Sequence, residues 1–172
     1  MALTEPIRIN GWLIVAHELF LDQVAGLAAE VAKDRSKHPD TYKGRRAAKM
    51  LAAIYRLVFN DIPSDPASAA YQQGNTLGEA HRHWRRAKFY QQYRLFFRFR
   101  ASEGGEKVIV FVWVNDEDTN RAYGSKTDAY AVFRRMLDSG NPPDDWTELW
   151  RQCRQADAES LARTFDVLAP TP

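Results

Sequence analysis

Two histidines stand one residue apart, His81 and His83, and directly ahead of Trp84-Arg85-Arg86-Ala87-Lys88; a few residues on, Arg94, Arg98 and Arg100 recur on one strand parity, and Arg82 joins the group. Arginine and lysine at this density bind phosphate, because neutralising phosphates and releasing their counterions supplies most sequence-independent affinity for a polyanion. Aromatic residues interleave with the cations (Trp84, Phe89, Tyr90, Tyr93, Phe96). Such rings either stack on unpaired bases or belong to the core. The histidine pair could act as acid and base or hold part of a metal, yet no third ligand stands at a helpful spacing, and the alternative is a solvent-exposed or phosphate-contacting pair. Asp116, Asp118 and Asn120 occupy the first, third and fifth places of a calcium loop, but Arg121 stands where glycine must turn the chain and Thr127 where the bidentate carboxylate belongs. Gly-rich phosphate loops, G-x-S-x-G elbows and H-E-x-x-H helices are absent.

The charge is regional. Net charge over the 172 residues is only +2, but residues 41–100 hold 12 of the 24 Lys and Arg against three of the 22 Asp and Glu, a local +9 that leaves −7 for the rest. That block is either a polyanion surface or, over 41–60, a solvated helix face paired with acids elsewhere. The lone Cys153 excludes an internal disulfide and a cysteine zinc site. The longest apolar run, Val108 to Val114, is far short of a membrane span, and the first residues lack a basic segment followed by an apolar one. A cytoplasmic protein with no membrane association is expected.

The elements that must position these side chains follow from periodicity. Phe20, Val24, Leu27 and Val31 predict a helix over 17–33; after a polar connection at 34–40, Ala47, Met50, Leu51, Ile54, Leu57 and Val58 predict a second helix antiparallel to the first. Residues 63–78 read as a surface loop. Tyr93, Leu95, Phe97 and Phe99 alternate with Arg94, Phe96, Arg98 and Arg100, a strand with one apolar face and one arginine-bearing face. A turn at 102–105 leads to Val108–Val114, apolar on both parities like a central strand. A strand at 84–89 precedes them, with 90–92 either a tight turn or a continuation. Thr127 and Asp128 can cap a helix that Gly140 ends, and Asp144 and Asp145 open a last helix bearing Trp146, Leu149, Trp150 and Cys153. Helices, then an antiparallel sheet, then helices make an α+β domain. Its expected concave face gathers five or more cations.

Several multi-residue motifs in order carry a resemblance: Asn10-Gly11-Trp12, Tyr42 with the basic helix, Trp84-x-Arg86-x-Lys88-Phe89, Tyr93-Arg94-Leu95-Phe96-Phe97-Arg98, Trp113-x-Asn115-Asp116-Glu117, the run from Arg121 through Tyr123, Gly124, Lys126 and Thr127 to Phe133, and Pro142-Pro143-x-x-Trp146. Together they resemble the YhaV toxins, partners of PrlF antitoxins in type II toxin–antitoxin pairs, within the RelE-like superfamily. The resemblance covers about 8–150 of a single domain spanning 1–172, with 151–172 a C-terminal helical tail.

The resemblance implies a metal-independent endoribonuclease, an mRNA interferase working with or on the ribosome and inhibiting translation and growth. Its implied fold is RelE-like, an N-terminal helical hairpin on a small curved antiparallel sheet with C-terminal helices. It implies no cofactor, a PrlF-like antitoxin in a hetero-oligomer, and contact with operator DNA only through that antitoxin. By motif position Arg86, expected to face solvent, and Arg94 become phosphate and transition-state cations, Lys88 the candidate base, and Tyr123 or Lys126 the candidate acid. Arg82, Arg85, Arg98, Arg100 and Trp84 are left to RNA contact. Competing roles are an Arg94 and Arg98 pairing with Asp116 and Glu117, Asp128 as a helix cap and Asn115 as a loop anchor. Two other functions stay open on such a scaffold, a non-catalytic gyrase poison and an RNA-binding module.

Overall fold

The computed structural model describes residues 6–101, 105–122, 124–153 and 158–168. Asn10 and Gly11 both take positive φ (52° and 81°), the two-residue turn whose twist suits a hairpin, and they join β1 (Arg8–Ile9) to β2 (Trp12–Ala16). β3 (Arg85–Phe89) and β4 (Tyr93–Ala101) form a second hairpin; Tyr90 and Gln91 have φ of 45° and 61°, so 90–92 is the tight turn. β5 (Lys107–Val114) is central in the order β1-β2-β5-β4-β3 and is buried from Val108 to Val114, as its unbroken apolar run predicts. Of the expected 102–105 turn, Ser102 to Gly104 lie outside the described residues.

The sheet is mixed, which corrects the antiparallel expectation: β2 runs parallel to β5, with Trp12 opposite Lys107 and Ala16 opposite Phe111. A parallel neighbour needs a crossover, and here it contains both N-terminal helices and the whole β3–β4 hairpin. The short run Trp12-Leu13-Ile14-Val15-Ala16 carries no periodicity of its own, so only the Asn10-Gly11 turn signals it.

Alternate residues of β5 feed two cores. Ile109 and Phe111 pack with Phe20, Val24, Leu51 and Ile54 beneath α1 (Glu18–Lys37) and α2 (Arg46–Arg56), joined by Leu161 and Phe165 of a later helix. α1 outruns its expected end at 33, since His17 caps its start by accepting from the Leu19 amide (3.1 Å) and its last turn closes from the His38 amide to the Asp34 carbonyl (2.7 Å). α2 continues through a π-helical turn at Leu57–Asp61 into the single turn α3 (Ile62–Ser64).

Val108, Val110 and Val112 face the second core, with Trp84, Phe96, Trp113 and the buried stripes of α4 (Ala129–Ser139) and α5 (Trp146–Cys153). The pairing of Phe96 with Trp113 and of Phe97 with Phe111 leaves Val112 as an extra residue on β5, and this bulge lets the neighbours Val112 and Trp113 both face the second core. Asp128 and Gly140 bound α4 as expected, Asp128 accepting from the Tyr130 amide and Gly140 taking φ 86°. α6 (Ala158–Phe165) follows in the tail. Among the described residues no helix is long and apolar enough to cross a membrane.

Candidate active site

The arginine-bearing face is not an open groove. Register sets Lys88 opposite Arg94 and Arg86 opposite Phe96, and the second core covers much of that face, so the expected gathering of five or more cations on an accessible concave surface is closed at Arg86 and Arg94. Arg86 is only 9% exposed: its Nε donates to the Tyr130 hydroxyl (2.8 Å) and its Nη1 to the Ala70 carbonyl (2.7 Å). The solvent-facing Arg86 of the sequence reading is therefore corrected, because α4 closes over it. Arg94, equally buried, clasps the β3–β4 turn through the Gln91 (2.7 Å) and Tyr93 (3.0 Å) carbonyls, and its Nε is buried without a partner.

Arg98 lies between the Trp84 and Trp146 rings (5.3 and 5.2 Å) and donates to the Asp144 carbonyl (2.7 Å). Burial pushes its guanidinium below the ordinary arginine range, with the neighbouring Asp144 opposing. Trp84 is fully buried against Phe133, so it offers no exposed ring to a base; the aromatic core claims it instead. Arg100 is exposed over Trp146, Lys88 is exposed on β3, Arg82 is exposed and bonded to Asn75, and Arg85 packs on the opposite face over Phe99 (5.4 Å).

Several alternatives are settled by geometry. The three arginines of 41–60 pair with acids: Arg45 with Asp34 (3.4 Å), Arg46 with Glu30 (3.9 Å) and Glu117, Arg56 with Asp61 (3.5 Å). Asn115 does anchor its loop, accepting from the Arg94 amide (2.6 Å) and donating to the Gln92 and Thr119 carbonyls (3.0 Å each).

Cations do converge elsewhere. At the start of α4 a pocket of about 430 Å³ is lined by Arg121, Lys126, Arg134 and Arg135, with Thr76, Ser125, Asp128 and Tyr130 between them. Its one carboxylate is occupied: Asp128 pairs with Arg121 and accepts from the Ala122 (2.8 Å) and Tyr130 (3.1 Å) amides. The Arg121 guanidinium lies 4.5 Å over the Tyr130 ring, and Arg135 donates to the Lys126 carbonyl (2.6 Å). Tyr130, bonded from behind by Arg86, links the buried strand arginine to the pocket wall.

Of the sequence candidates, Lys126 lines this pocket, Arg86 reaches it through Tyr130, and Tyr123 lies outside the described residues. Arg121, Tyr130, Arg134 and Arg135 were missed as a group. A signal exists: four cations within fifteen residues, with Tyr130 and Arg134 four apart on one helix face, beyond the basic block at 41–100.

A second polar cluster gathers on one atom. Asp144 Oδ1 lies 3.1 Å from His81 Nδ1 and 2.8 Å from His83 Nε2, and accepts from Trp84 Nε1 (2.7 Å). Burial alone would raise the Asp144 carboxyl, but the hydrogen bonds from Trp84, His83 and His81 hold it below the usual carboxylate range. Burial lowers His83, and Arg98 lowers it further, against the pull of Asp144. The histidine pair thus has a third partner more than sixty residues away, which spacing along the chain cannot reveal.

The model of a family described as a toxin with endonuclease activity, of a toxin–antitoxin system, matches residues 14–154, from β2 through α5. The ribonuclease toxin YhaV of Escherichia coli is 42% identical over 152 residues, 87% of this chain and 97% of that protein. Toxin YhaV of two further Escherichia coli strains is 42% identical with the same coverage and 41% identical over 153 residues, 88% of this chain and 97% of that protein. No solved structure gives a significant match. The matched span contains Arg86, the whole basic pocket and the helix that carries it, and with identity at this level over nearly the full length of those relatives, the chain belongs to the YhaV family of toxins, which have endonuclease activity and act in toxin–antitoxin systems.

Proposed function

We propose that this chain is an endoribonuclease that cleaves mRNA by attack of a 2′-hydroxyl on the adjacent phosphodiester, with the scissile phosphate in the pocket at the start of α4. The observation that carries this reading is the convergence of Arg121, Lys126, Arg134 and Arg135 on one pocket whose wall, Tyr130, is hydrogen-bonded by the buried Arg86. The ribonuclease name of an Escherichia coli relative supports RNA as the substrate. A base takes the 2′-OH proton, the 2′-oxygen bonds to phosphorus, the P–O5′ bond breaks, and an acid protonates the departing 5′-oxygen, leaving a 2′,3′-cyclic phosphate.

In this scheme the pocket arginines bind the non-bridging oxygens and stabilise the charge that develops on them. Tyr130 accepts from Arg86 and so has its own O–H proton to donate to the phosphate. Lys88 lies two residues beyond Arg86 on the same side of β3, about 6.6 Å along the strand, and serves as base; Lys126 in the pocket serves as acid. No metal is needed at this pocket, a reading supported by the engagement of Asp128 with Arg121 and two backbone amides. Arg94 holds the hairpin that carries Lys88.

The same reading has the chain act in the cytoplasm on ribosome-associated transcripts, held silent by a PrlF-like antitoxin that covers the basic pocket and alone contacts operator DNA. A RelE-like ancestry is supported by the pair of N-terminal helices packed on the sheet. The test is to induce the chain with and without the neighbouring reading frame and map RNA 5′ ends. New 5′-hydroxyl ends that vanish on co-expression are expected. Intact transcripts with broken DNA would replace the reading with gyrase poisoning, and RNA binding without cleavage would replace it with a binding module.

A further inference from the structure

We propose that His81, His83 and Asp144 form a binding site for a divalent transition-metal ion of the zinc class. Two imidazoles and one carboxylate suit zinc, nickel or cobalt, whereas a single oxygen donor is a poor match for calcium or magnesium. The three ligand atoms lie within 4.8 Å of one another. Two of their separations are 3.1 and 2.8 Å, against about 3.3–3.5 Å around a tetrahedral ion with bonds of 2.0–2.1 Å. Side-chain shifts of a few tenths of an ångström would open the cluster to an ion.

Its surroundings are those of a held site. Trp84, fully buried, donates to the same Asp144 oxygen and fixes the carboxylate from the core side. Gln73, also buried, donates to the His81 carbonyl (2.9 Å) and accepts from the Leu77 amide (3.1 Å), bracing the loop that carries both histidines. Outer partners of this kind orient metal ligands. The side chains of His83 and Asp144 are about one-third exposed (36% and 35%), which leaves an entry path and room for solvent as a fourth ligand. Arg98, beside Asp144, adds a positive charge that weakens binding, so a micromolar site is expected rather than the tight grip of a four-ligand structural centre. A bound ion would tie the loop before β3 to the entrance of α5. The cluster shares no residue with the lining of the basic pocket, so its fate and that of the proposed RNA chemistry are separately testable.

The test is titration of the chelator-dialysed full chain with Co²⁺, followed by visible absorption, and then displacement by Zn²⁺. One equivalent with a low-symmetry cobalt spectrum is expected. His83→Gln, at a partly exposed position, and Asp144→Asn, which retains an oxygen acceptor for Trp84, should each weaken binding more than tenfold, while His38→Gln on the far end of α1 should leave it unchanged. A hundredfold excess of Zn²⁺ over Kd should raise Tm by about 5–10 °C in the parent chain and not in the two ligand variants. Absence of saturable binding, or binding that either ligand variant leaves intact while folded by circular dichroism, overturns the site.

Discussion

The two faces of the sheet are built from alternate residues of the same strands, yet they bury different things. Beneath α1 and α2, Leu95, Phe97, Ile109 and Phe111 pack among apolar side chains, and the α2 arginines Arg46 and Arg56 stay at the surface in ion pairs. Beneath α4 and α5 the same strands carry Arg86, Arg94 and Arg98, the last between two tryptophan rings, and each guanidinium donates to a carbonyl or hydroxyl oxygen. An exposed pair contributes only ~0–1 kcal/mol, whereas a buried cation carries a desolvation cost of several kcal/mol that its hydrogen bonds must offset. Both faces hold the fold, and the second also spends stability to fix charge, with Arg86 held against the wall of the basic pocket.

Matched core truncations test that division at the largest scale. Phe111→Ala and Phe133→Ala should each cost about 3–5 kcal/mol in denaturant unfolding, since both rings are fully buried among aromatic neighbours. They should differ in RNA cleavage per folded molecule: Phe133 belongs to the helix that presents Tyr130, Arg134 and Arg135, and Phe111 does not. Equal specific activities in the two variants would dissolve the division.

Arg86→Lys sharpens it next. The lysine keeps the charge but cannot hold the Tyr130 hydroxyl and the Ala70 carbonyl together, so cleavage should fall about 10²–10³-fold, or ~2.7–4 kcal/mol of transition-state stabilisation. Arg86→Ala should lose stability as well, about 1–3 kcal/mol, by leaving buried polar groups unpaired. Single-turnover cleavage beside thermal unfolding separates the two effects. A fully active Arg86→Lys protein would take the Arg86–Tyr130 bond out of the mechanism.

Arg86 also shows where sequence reading stops. Motif order singles it out, and strand parity puts Arg94, Arg98 and Arg100 on one face beside its segment, but parity says nothing about what covers a face. Periodicity found α4 and α5 without saying that they close over the arginines. The local signals were strong where one element contains its own evidence: the β5 run, the α4 stripe with its Asp128 and Gly140 ends, and the α2 stripe all stand as read. They failed where partners are distant, as for β2 beside β5 and Asp144 beside His81 and His83. The basic pocket escaped for a third reason. Its cations come from a loop and a helix whose acids cancel them in a regional tally, and only folding separates Asp138 on α4 from the pocket lining.

Ionic strength distinguishes pocket cations from the rest. With about four phosphate contacts on single-stranded RNA, log K should fall against log salt with a slope near −3, and the double variant Arg134→Ala/Arg135→Ala should bring it to about −1.5. Filter binding of a short non-cleavable RNA across a salt series reads this directly. An unchanged slope would place the phosphate elsewhere.

The smallest effect is expected at Arg46, and it tests the quiet face. This arginine lies in the block of highest local positive charge, so a tally along the chain would make it an RNA contact. In the fold its guanidinium lies between Glu117 and Glu30, all three side chains being roughly half exposed. Two carboxylates already neutralise it, and displacing them would give back much of what a phosphate contact gains. Exposed pairs of this kind contribute about 0–1 kcal/mol and are screened by salt. Arg46→Ala should therefore shift unfolding by no more than that, diminish as salt rises, and leave both RNA affinity and its salt slope where they were. A slope less steep by about 0.7, the value of one lost phosphate contact on a single strand, would mean that Arg46 leaves its acids for RNA, and the α2 face would then belong to the binding surface too.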